Sequence, residues 1–494
     1  MADYDCVVIG AGMAGLTFAS LAGASGERVL VIDQHYLPGG CFTAFKNGPY
    51  TFNVALEWTN ECGQGQRFHG LLEKLGLNEE YPFVRIDVFK SIISAELPHP
   101  LLIPAGTSEL LSSLSASFPH QSVEIRTFLD DCLAVLDNDA RSTRILMQRG
   151  SKPVEKALMD YFDDPLLVQS LFSLIAYPGA RAVLLMYMIG AICKNQIWRP
   201  VHRDHRRLPS LLHRRIVRQG GKLMLSRKVT RILIENGKAA GVELDSGERI
   251  QARTVVANVD PHQLYTRLLD PQQPYPRQVT SMLEREPSLS CFCVFIGLKR
   301  PMQGMALQGG SMSLLGAPVS WEDGLADLRT MPLRLENQSA MHPGLAPNGH
   351  GTLCVWAALS ISAFEYWGQR SAEQVHDLFA YAAAKEAAVA IVLERLAAAF
   401  PGFRDDIALV DAATPFTFQR YTGARDGAVS GYSLASMSYL KTLPNTTTVP
   451  GLYHIGQWTS QSGVNMAMYS GESLHGQLYG QQAVSGSATK PTAG

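Results

Sequence analysis

The sequence YDCVVIGAGMAG at residues 4–15, followed by RVLVID at residues 28–33, predicts the fold of the first part of the chain. Residues 4–9 are mostly apolar and rich in β-branched side chains, as in a strand that is buried on both faces of a parallel sheet. A Gly-x-Gly-x-x-Gly turn comes next and leads into a helical stretch at residues 16–24. The second strand ends in Asp33, 18 residues after the last glycine of the turn. This order of strand, glycine turn, helix, strand and acid predicts a dinucleotide-binding Rossmann-like unit.

The residues of this turn each have a physical task. Gly10 allows a tight turn, Gly12 lets a pyrophosphate approach the backbone, and Gly15 lets the helix pack close to the strand. The N–H groups and partial positive charge of the helix N-terminus favour phosphate, and Asp33 is expected to accept hydrogen bonds from a ribose. The predicted dinucleotide contacts in this part of the chain are Gly10, Ala11, Gly12, Met13, Ala14, Gly15, Asp33 and Gln34.

A second glycine pair favours FAD over a nicotinamide dinucleotide. Gly39, Gly40 and Cys41 follow soon after the predicted ribose-binding acid, and such a pair lets another backbone segment run against a long, extended dinucleotide. No second Gly-x-Gly-x-x-Gly follows another predicted strand, so a built-in nicotinamide domain is not expected. The sequence therefore predicts FAD, bound non-covalently, with Gly39, Gly40 and Cys41 among its contacts.

The composition limits the size, the partners and the metal content of the protein. A chain of 494 residues exceeds one simple core and predicts two domains. Its net charge of -1 argues against a nucleic-acid partner, because such a partner requires a basic face. The eight cysteines form no CxxC pair and no cluster with metal-ligand spacing, so we expect free thiols and no metal site. No secretory signal or run of about 18 apolar residues is visible, which predicts a cytoplasmic protein.

Five separated segments carry a more specific pattern than any one motif. They are VVIGAGMAGL (7–16), GGCFTAFKNGPYTFNVA (39–55), GGKLMLSRKVTRILIENGKAAGVEL (220–244) running on to VVANVDP (255–261), ATPFTFQRYTG (413–423) and GLYHIGQWTSQSGVNMAMYSG (451–471). In this order they resemble the phytoene desaturase, carotenoid isomerase and retinol saturase family of flavoproteins, and the resemblance covers most of the chain. It implies an α/β fold: an FAD-binding Rossmann-like domain of the glutathione reductase/amine oxidase type with an inserted α+β substrate domain.

The resemblance also implies further cofactor contacts and an activity. In the family, the residue at the Val229 position contacts the adenine side through its backbone, and the C-terminal signature approaches the flavin ring and ribityl chain. The matching residues are Val229, Gly456, Gln457, Gly463 and Val464. The implied activity is desaturation, saturation or isomerisation of a C–C double bond in a hydrophobic conjugated or isoprenoid-like substrate.

Two departures from the family pattern bear on the substrate more than on the cofactor. Asn53 stands where the family usually has an aspartate, and residues 199–207 lack the glycines of the usual segment. Near the first of these, Glu57 lies where retinol saturase-like sequences tend to have a histidine beside the flavin. Next to Trp58 and an apolar face, burial would raise the pKa of Glu57 toward the working range. We therefore predict Glu57 as the catalytic acid or base, with a surface or salt-bridged glutamate as the alternative.

Other side chains have both a structural and a functional interpretation. Tyr177, Tyr187 and Tyr421 could line the substrate pocket, although aromatic residues at such spacing are more often part of a core. His454 lies in an apolar run and is interpreted as a hydrogen-bonded core histidine. The basic residues of segment 199–215 indicate a solvated helix face, or else a contact with an acidic carrier or an anionic, peripheral membrane surface.

Two other functions fit the same cofactor. One is an oxidase of a C–N bond in an amine or imine, since such enzymes share this fold and Glu57 could hold a cationic amine. The other is a flavoprotein that acts on a carrier-bound or protein-bound group through the basic segment 199–215. The sequence leaves both alternatives open.

The predicted domains are discontinuous. The FAD-binding domain comprises residues 1–70, 205–265 and 445–480, and the substrate-binding domain comprises residues 71–204 and 266–444. Within the substrate-binding domain, residues 289–298 and 351–359 are typical of strands, and residues 371–400 of a helix capped by Ser371. The small and polar tail at residues 485–494 is expected to be disordered.

Overall fold

The structure is a computed structural model that describes residues 2–54, 58–202, 204–270, 275–302, 310–316, 327–361 and 378–480. Within these ranges the chain forms two seven-stranded sheets, two short strand pairs and a set of helices. The strands are β1 (Tyr4–Ile9), β2 (Val29–Ile32), β3 (Ala44–Asn47), β4 (Tyr50–Asn53), β5 (Phe83–Arg85), β6 (Val88–Ile93), β7 (Leu101–Pro104), β8 (Trp198–Pro200), β9 (Lys222–Met224), β10 (Val229–Glu235), β11 (Lys238–Leu244), β12 (Arg249–Ala257), β13 (Ser290–Leu298), β14 (Ser311–Leu314), β15 (Leu333–Glu336), β16 (Gly351–Leu359), β17 (Ile407–Ala413) and β18 (Leu452–His454).

The helices surround these sheets. They are α1 (Met13–Ala24), α2 (Arg67–Lys74), α3 (Thr107–Ser117), α4 (Ser122–Asp137), α5 (Ser142–Ile145), α6 (Val154–Met159), α7 (Pro165–Ile175), α8 (Ala182–Cys193), α9 (Arg207–Arg218), α10 (Pro261–Gln263), α11 (Arg277–Leu283), α12 (Gln338–Met341), α13 (Leu378–Ala399), α14 (Pro415–Thr422) and α15 (Val464–Tyr479). Helices α3, α4, α6, α7 and α8 share one apolar core with strands β6 and β7. Within the described ranges, no helix combines the length and apolar character needed to cross a bilayer.

The first sheet has the strand order β10-β11-β12-β1-β2-β9, with β18 beside β12. Strand β1 runs parallel to both β12 and β2, and β18 runs parallel to β12. Cys6, Val7 and Val8 of β1 are fully buried, as expected for a parallel strand that is covered on both faces. Helices α1, α9 and α15 cover one of these faces. The strand–turn–helix order predicted for a Rossmann-like unit is therefore confirmed.

The second sheet has the strand order β17-β13-β16-β15-β14-β6-β7. Strands β14 and β6 are parallel, and the other neighbours are antiparallel. One face is apolar and packs against α13, where Val392 and Leu396 join the same core as Val294 and Val355 of the sheet. The strands predicted at residues 289–298 and 351–359 are observed as β13 and β16.

Some predictions concern residues that are outside the described ranges. Helix α13 accounts for most of the helix predicted at residues 371–400, but its predicted N-cap, Ser371, is not among the described residues. The tail at residues 485–494 is not among them either. The first sheet takes its strands from three separated stretches of the chain, and the domain boundaries proposed around them remain a prediction.

Candidate functional site

The turn between β1 and α1 has no room for larger side chains. Gly10 has a φ of 99°, a left-handed conformation that favours glycine. A Cβ atom on Gly15 would lie 2.3 Å from the carbonyl oxygen of Gly10, so the first turn of α1 packs directly on this loop. Ala11, Met13 and Ala14 are buried around it. Because no side chain caps α1, its first N–H groups remain for a ligand.

Asp33 follows β2 and lies beside the glycine turn. Its carboxylate accepts hydrogen bonds from the N–H of Ala11 at 2.6 Å and from the N–H of His35 at 2.8 Å. Burial raises the pKa of Asp33, and the two hydrogen bonds act in the opposite direction. A carboxylate offers about four acceptor positions, so others remain for ribose hydroxyls. Gln34 is exposed next to it.

The segment that leads into Val229 runs along the residues that follow β2. The N–H of Ser226 donates to the carbonyl oxygen of His35, and the N–H of Arg227 donates to that of Asp33, both at 3.0 Å. The side chain of Val229 is buried at the start of β10. The approach to Val229 therefore lies beside the predicted ribose-binding residue, although its contact with the adenine remains a prediction.

The second glycine pair lies against the first glycine turn. The N–H of Gly39 donates to the carbonyl oxygen of Ala11 at 2.8 Å, and Gly39 forms a parallel bridge with Gly12. A Cβ atom on Gly40 would lie 3.2 Å from the Cα atom of Gly12. Burial raises the pKa of the adjacent Cys41 thiol to about 11, so this thiol is neutral at pH 7. Two backbone segments thus meet where the sequence predicts an extended dinucleotide.

The C-terminal signature meets the glycine turn through one side chain, Asn258. Its backbone N–H, directly after β12, donates to the carbonyl oxygen of Ile9 at 2.8 Å. A Cβ atom on Gly12 would lie 2.8 Å from Nδ2 of Asn258, and one on Gly456 would lie 2.4 Å from its Oδ1. The amide therefore fills the space between the two glycine segments. Asn258 was not predicted from the sequence, although a polar residue at the carboxyl end of a buried parallel strand was an available signal.

Helix α15 begins at Val464, directly after Gly463, and has no side-chain cap. The helix crosses α1 closely, because a Cβ atom on Gly471 would lie 2.3 Å from the carbonyl oxygen of Ala14. Gln457 packs beside Gly431, where an added Cβ atom would lie 2.5 Å from the carbonyl oxygen of Gln457. The C-terminal residues predicted to contact the flavin are thus held close to the N-terminal ones.

These residues fit FAD. The glycine turn provides the space and the N–H groups that a pyrophosphate requires, and Asp33 provides acceptors for a ribose. The uncapped N-terminus of α15 provides a partial positive charge at the C-terminal end of the site. In the described part of the chain, no group of three or more His, Cys, Asp and Glu side chains could hold a metal ion.

The predicted catalytic residue, Glu57, lies outside the described residues. Its described neighbour Trp58 packs edge-on against Phe89, with ring centroids 5.2 Å apart. The adjacent Trp58 is therefore part of the core that joins the cofactor-binding segment to β6. The role of Glu57 remains a prediction.

The structure gives the burial and the contacts of the three tyrosines and the histidine for which the sequence allowed two interpretations. Tyr177 is buried, and its hydroxyl accepts a hydrogen bond from the N–H of Leu289 at 2.7 Å. Tyr187 and Tyr421 are 43% and 52% exposed and so are not part of a core, and their contact with a substrate remains a prediction. His454 is buried, with Nε2 2.8 Å from a backbone carbonyl oxygen, which confirms a hydrogen-bonded core histidine.

Asn53, the first departure from the family pattern, connects three parts of the chain. Its N–H donates to Oε1 of Gln338, and its carbonyl oxygen accepts from Nε2 of the same amide, both at 3.0 Å. Its Oδ1 accepts from the N–H of His205 at 3.1 Å, and the His205 ring stacks on Phe42 with centroids 4.5 Å apart. A neutral amide makes these buried contacts without burying a charge.

The basic segment 199–215, the second departure, has partners within the chain. Arg206 forms an ion pair with Asp204, and Arg214 lies 3.5 Å from the carboxylate of Glu80. These pairs neutralise part of the positive charge that suggested an acidic partner. A contact of this segment with a carrier or a membrane remains a prediction.

Three ionisable side chains lie on the face of the second sheet that is turned away from α13. They are Lys90 of β6 and Arg334 and Glu336 of β15, and together they define the charged face. The hydroxyl of Ser311 donates to Glu336 at 2.9 Å. Burial lowers the pKa of Lys90 to about 7; the charge of Arg334 acts in the same direction and that of Glu336 in the opposite one. This cluster was not predicted from the sequence, although charged residues inside apolar strands were a visible signal.

Known proteins resemble this chain over most of its length. The family model described as flavin containing amine oxidoreductase matches residues 13–473. The chloroplastic prolycopene isomerase 1 of an Oncidium hybrid cultivar is 26% identical across 92% of this chain and 80% of its own length. The all-trans-retinol 13,14-reductase of Danio rerio is 23% identical across 92% of this chain and 82% of its own length. These matches confirm the resemblance inferred from the five segments.

A solved structure shows the same fold. The crystal structure of an oxidoreductase from Methanosarcina mazei superposes with a TM-score of 0.64 at 18% sequence identity. The superposition covers 95% of this chain and 99% of the other chain. At this identity the likeness concerns the fold alone.

Proposed function

This chain belongs to the flavin containing amine oxidoreductase family and binds FAD, and from that premise we propose that it acts on a C–C double bond. The substrate class is a hydrophobic, conjugated or isoprenoid-like molecule. The five matching segments support this proposal. It is supported further by relatives whose names are prolycopene isomerase and all-trans-retinol 13,14-reductase.

The observation that carries the proposal is the apolar packing between the cofactor-binding segment and the second sheet. Strand β4, which follows Cys41 closely, packs Tyr50 and Phe52 in one core with Phe295 and Trp356 of the second sheet. These apolar side chains favour a substrate that is apolar where it passes them. A flavin reaction at a C–C double bond needs an apolar, water-free surface more than it needs many catalytic side chains.

The residues of this chain have separate tasks in the proposed reaction. FAD, when bound, supplies a ring that accepts or donates a hydride. The glycine turn would hold the pyrophosphate, Asp33 the ribose, and the N-terminus of α15 the ring end of bound FAD. Apolar side chains exclude water, and Glu57 moves a proton where the reaction requires one.

The charged face argues against the amine alternative. Arg334 carries a positive charge there, Lys90 adds a partial one near pH 7 because its pKa is about 7, and Glu336 carries one negative charge. A cationic amine placed among these groups would meet net positive charge. A neutral or anionic substrate is therefore favoured over an amine.

One experiment separates the possible reactions and tests the proposal. The purified FAD-loaded protein is mixed anaerobically with a linear conjugated polyene, with and without dithionite. Product that forms only with oxidised flavin indicates desaturation, and saturated product that consumes reduced flavin indicates saturation. A geometric isomer formed with reduced flavin and no net consumption indicates isomerisation. Peroxide released from amines in a separate assay in air, with no reaction of polyenes in either flavin state, would overturn the proposal.

Glu57 has its own test. The substitution Glu57→Gln should lower kcat by roughly 10²- to 10⁴-fold, because an amide cannot take up or release the proton. The flavin content should stay that of the parent protein, which absorbance at the flavin bands measures. Glu73→Gln, on the exposed side of α2, is the control. An unchanged kcat in Glu57→Gln would remove this residue from the reaction.

A further inference from the structure

The register of β14 and β15 places two charges on one face. Arg334 is opposite Ser313, and Glu336 is opposite Ser311. Side chains alternate between the two faces of a strand, and the intervening leucines of β15 belong to the core that packs on α13. Arg334 and Glu336 therefore point away from α13.

The register of β6 and β14 brings Lys90 to the same face. Ser91 is opposite Met312, and Met312 belongs to the core beside α13. Lys90, one residue before Ser91, therefore lies level with Ser311 on the opposite face. Its amino group is attracted by Glu336 and repelled by Arg334.

Several donors on this face have no acceptor in the part of the chain that the structure describes. Lys90 has 0% of its surface exposed, and its Nζ has no hydrogen-bond partner among the described residues. The same holds for Nε of Arg334 and for Nε1 of Trp356, and Trp356 is opposite Arg334 in the β15–β16 pair. Buried donors without acceptors cost free energy, so a ligand acceptor would stabilise this arrangement.

The charges of this face indicate the kind of acceptor. Two basic side chains, Lys90 and Arg334, lie beside one carboxylate, that of Glu336, and when Lys90 is protonated they leave one positive charge in excess. One further negative charge would balance the cluster. A carboxylate suits it because its two oxygens match the planar fork of an arginine and leave lone pairs for an ammonium group.

The charged face continues toward the cofactor-binding segment. Cys293 is opposite Trp356 in the β13–β16 pair. A hydrogen bond from Cys293 lowers the pKa of Cys291, with the charge of Arg334 acting in the same direction. Burial raises the pKa of Cys41, and Cys291 adds to that effect. Cys291 is therefore within electrostatic reach of both Arg334 and Cys41, the residue that follows the second glycine pair.

We propose that Lys90 and Arg334, assisted by Nε1 of Trp356, bind a carboxylate at one end of the substrate. The conjugated chain of the substrate would then extend along the second sheet past Cys291 toward the cofactor. The substrate class is therefore a long conjugated acid. This inference rests on the proposed function, because it assumes that the apolar part of the substrate reaches the flavin.

A comparison of two probes tests the site. The FAD-loaded protein is titrated with a linear twenty-carbon conjugated polyene monocarboxylic acid and, separately, with its methyl ester. Quenching of tryptophan fluorescence gives the dissociation constant of each without any turnover. The acid should bind roughly 10- to 100-fold more tightly than the ester, as expected for a hydrogen bond to a charged group. Equal affinity for acid and ester would overturn the carboxylate site.

Variants locate the effect. Arg334→Met and Lys90→Met should each remove most of the preference for the acid and leave the affinity for the ester unchanged. Arg395→Met is the matched control, because this half-buried arginine of α13 donates to the carbonyl oxygens of Leu328 and Met331 on the other face of the sheet. It should retain the preference for the acid. Retention of the preference in Lys90→Met would also overturn the proposal, and this variant decides the matter if Arg334→Met does not fold.

The two proposals fail in different ways. If acid and ester bind equally and the polyene is converted, only the carboxylate site is wrong. If neither probe binds and no polyene reacts, the proposed function and the carboxylate site are both wrong. If the acid binds preferentially and no polyene reacts, the carboxylate site is supported and the proposed reaction at a C–C double bond is wrong.

Discussion

The two seven-stranded sheets offer a ligand different kinds of groups. The first sheet offers backbone groups and glycines at the end where β1, β12 and β18 finish. The second sheet offers ionic side chains from β6 and β15, which are far apart in the chain. A backbone turn is encoded by a short motif, whereas a face of side chains depends on which strands become neighbours.

Because of this difference, the two sheets should tolerate different kinds of substitution. The glycine turn is limited by space, since added atoms would meet backbone atoms of the same turn. The charged face is limited by electrostatics, since its donors exceed its acceptors among the described residues. Substitutions that increase side-chain volume should therefore have their largest effects on stability and flavin binding in the first sheet. Substitutions that remove a charge at similar volume should have their largest effects in the second sheet.

The largest effect is expected where the first sheet has no space. Gly15→Ala would place a Cβ atom 2.3 Å from the carbonyl oxygen of Gly10, and should lower the free energy of unfolding by about 3 kcal/mol with loss of bound flavin. Gly70→Ala is the control, because Gly70 is also helical and has nothing within 4 Å of an added Cβ atom. That change should stabilise the protein by up to about 1 kcal/mol. Denaturant unfolding measures the free energy of unfolding of the two variants, and flavin absorbance measures their bound flavin. Equal values for Gly15→Ala and Gly70→Ala would contradict the idea that space limits the first sheet.

The next effect exchanges charge at similar volume on the two sides of the second sheet. Arg395 donates to the carbonyl oxygens of Leu328 and Met331, both at 2.7 Å. Arg395→Met should therefore cost about 2 kcal/mol of unfolding free energy, because it leaves these acceptors unpaired. Lys90→Met should be neutral or stabilising in the substrate-free protein, because the Lys90 ammonium is buried without a hydrogen-bond acceptor in the described part of the chain. An equal loss in both variants, measured by denaturant unfolding, would show that Lys90 serves stability.

The smallest effect concerns pH and the first sheet. Burial lowers the pKa of His454 to about 4, against an ordinary value of 6.5. Between these values the unfolded chain binds a proton that the folded protein does not, so this contribution is complete above about pH 6.5 and is lost as the pH falls. The free energy of unfolding should decrease by about 2 kcal/mol between pH 7 and pH 5 on account of His454.

A pair of variants isolates this contribution. His454→Gln keeps a side-chain donor near the carbonyl oxygen of Val259 and does not titrate, so its unfolding free energy should fall less between pH 7 and pH 5. His99→Gln, at an exposed position, should keep the slope of the parent protein. Identical slopes for all three proteins in denaturant titrations would exclude His454 as the source.

The cofactor end of the site was largely predictable from the sequence. The glycine turn, Asp33 and the second glycine pair lie together because short loops join them to buried parallel strands. Asn258 was missed, because its role depends on β12 lying between β1 and β18. The exposure of Tyr187 and Tyr421 was not predictable, because periodicity alone does not show which side of a helix is covered.

The dinucleotide turn and the cofactor class followed from the sequence alone, since they depend on residues that are close together in the chain. The family pattern followed from five segments that occur in a fixed order along the chain. Only the tertiary structure decided that Lys90, Arg334 and Glu336 share one face. The physical reason is that a charge in an apolar strand acquires its neighbours, its burial and its pKa from strands that pair with it across the sheet. Those pairings join segments separated by much of the chain, and no local pattern specifies them.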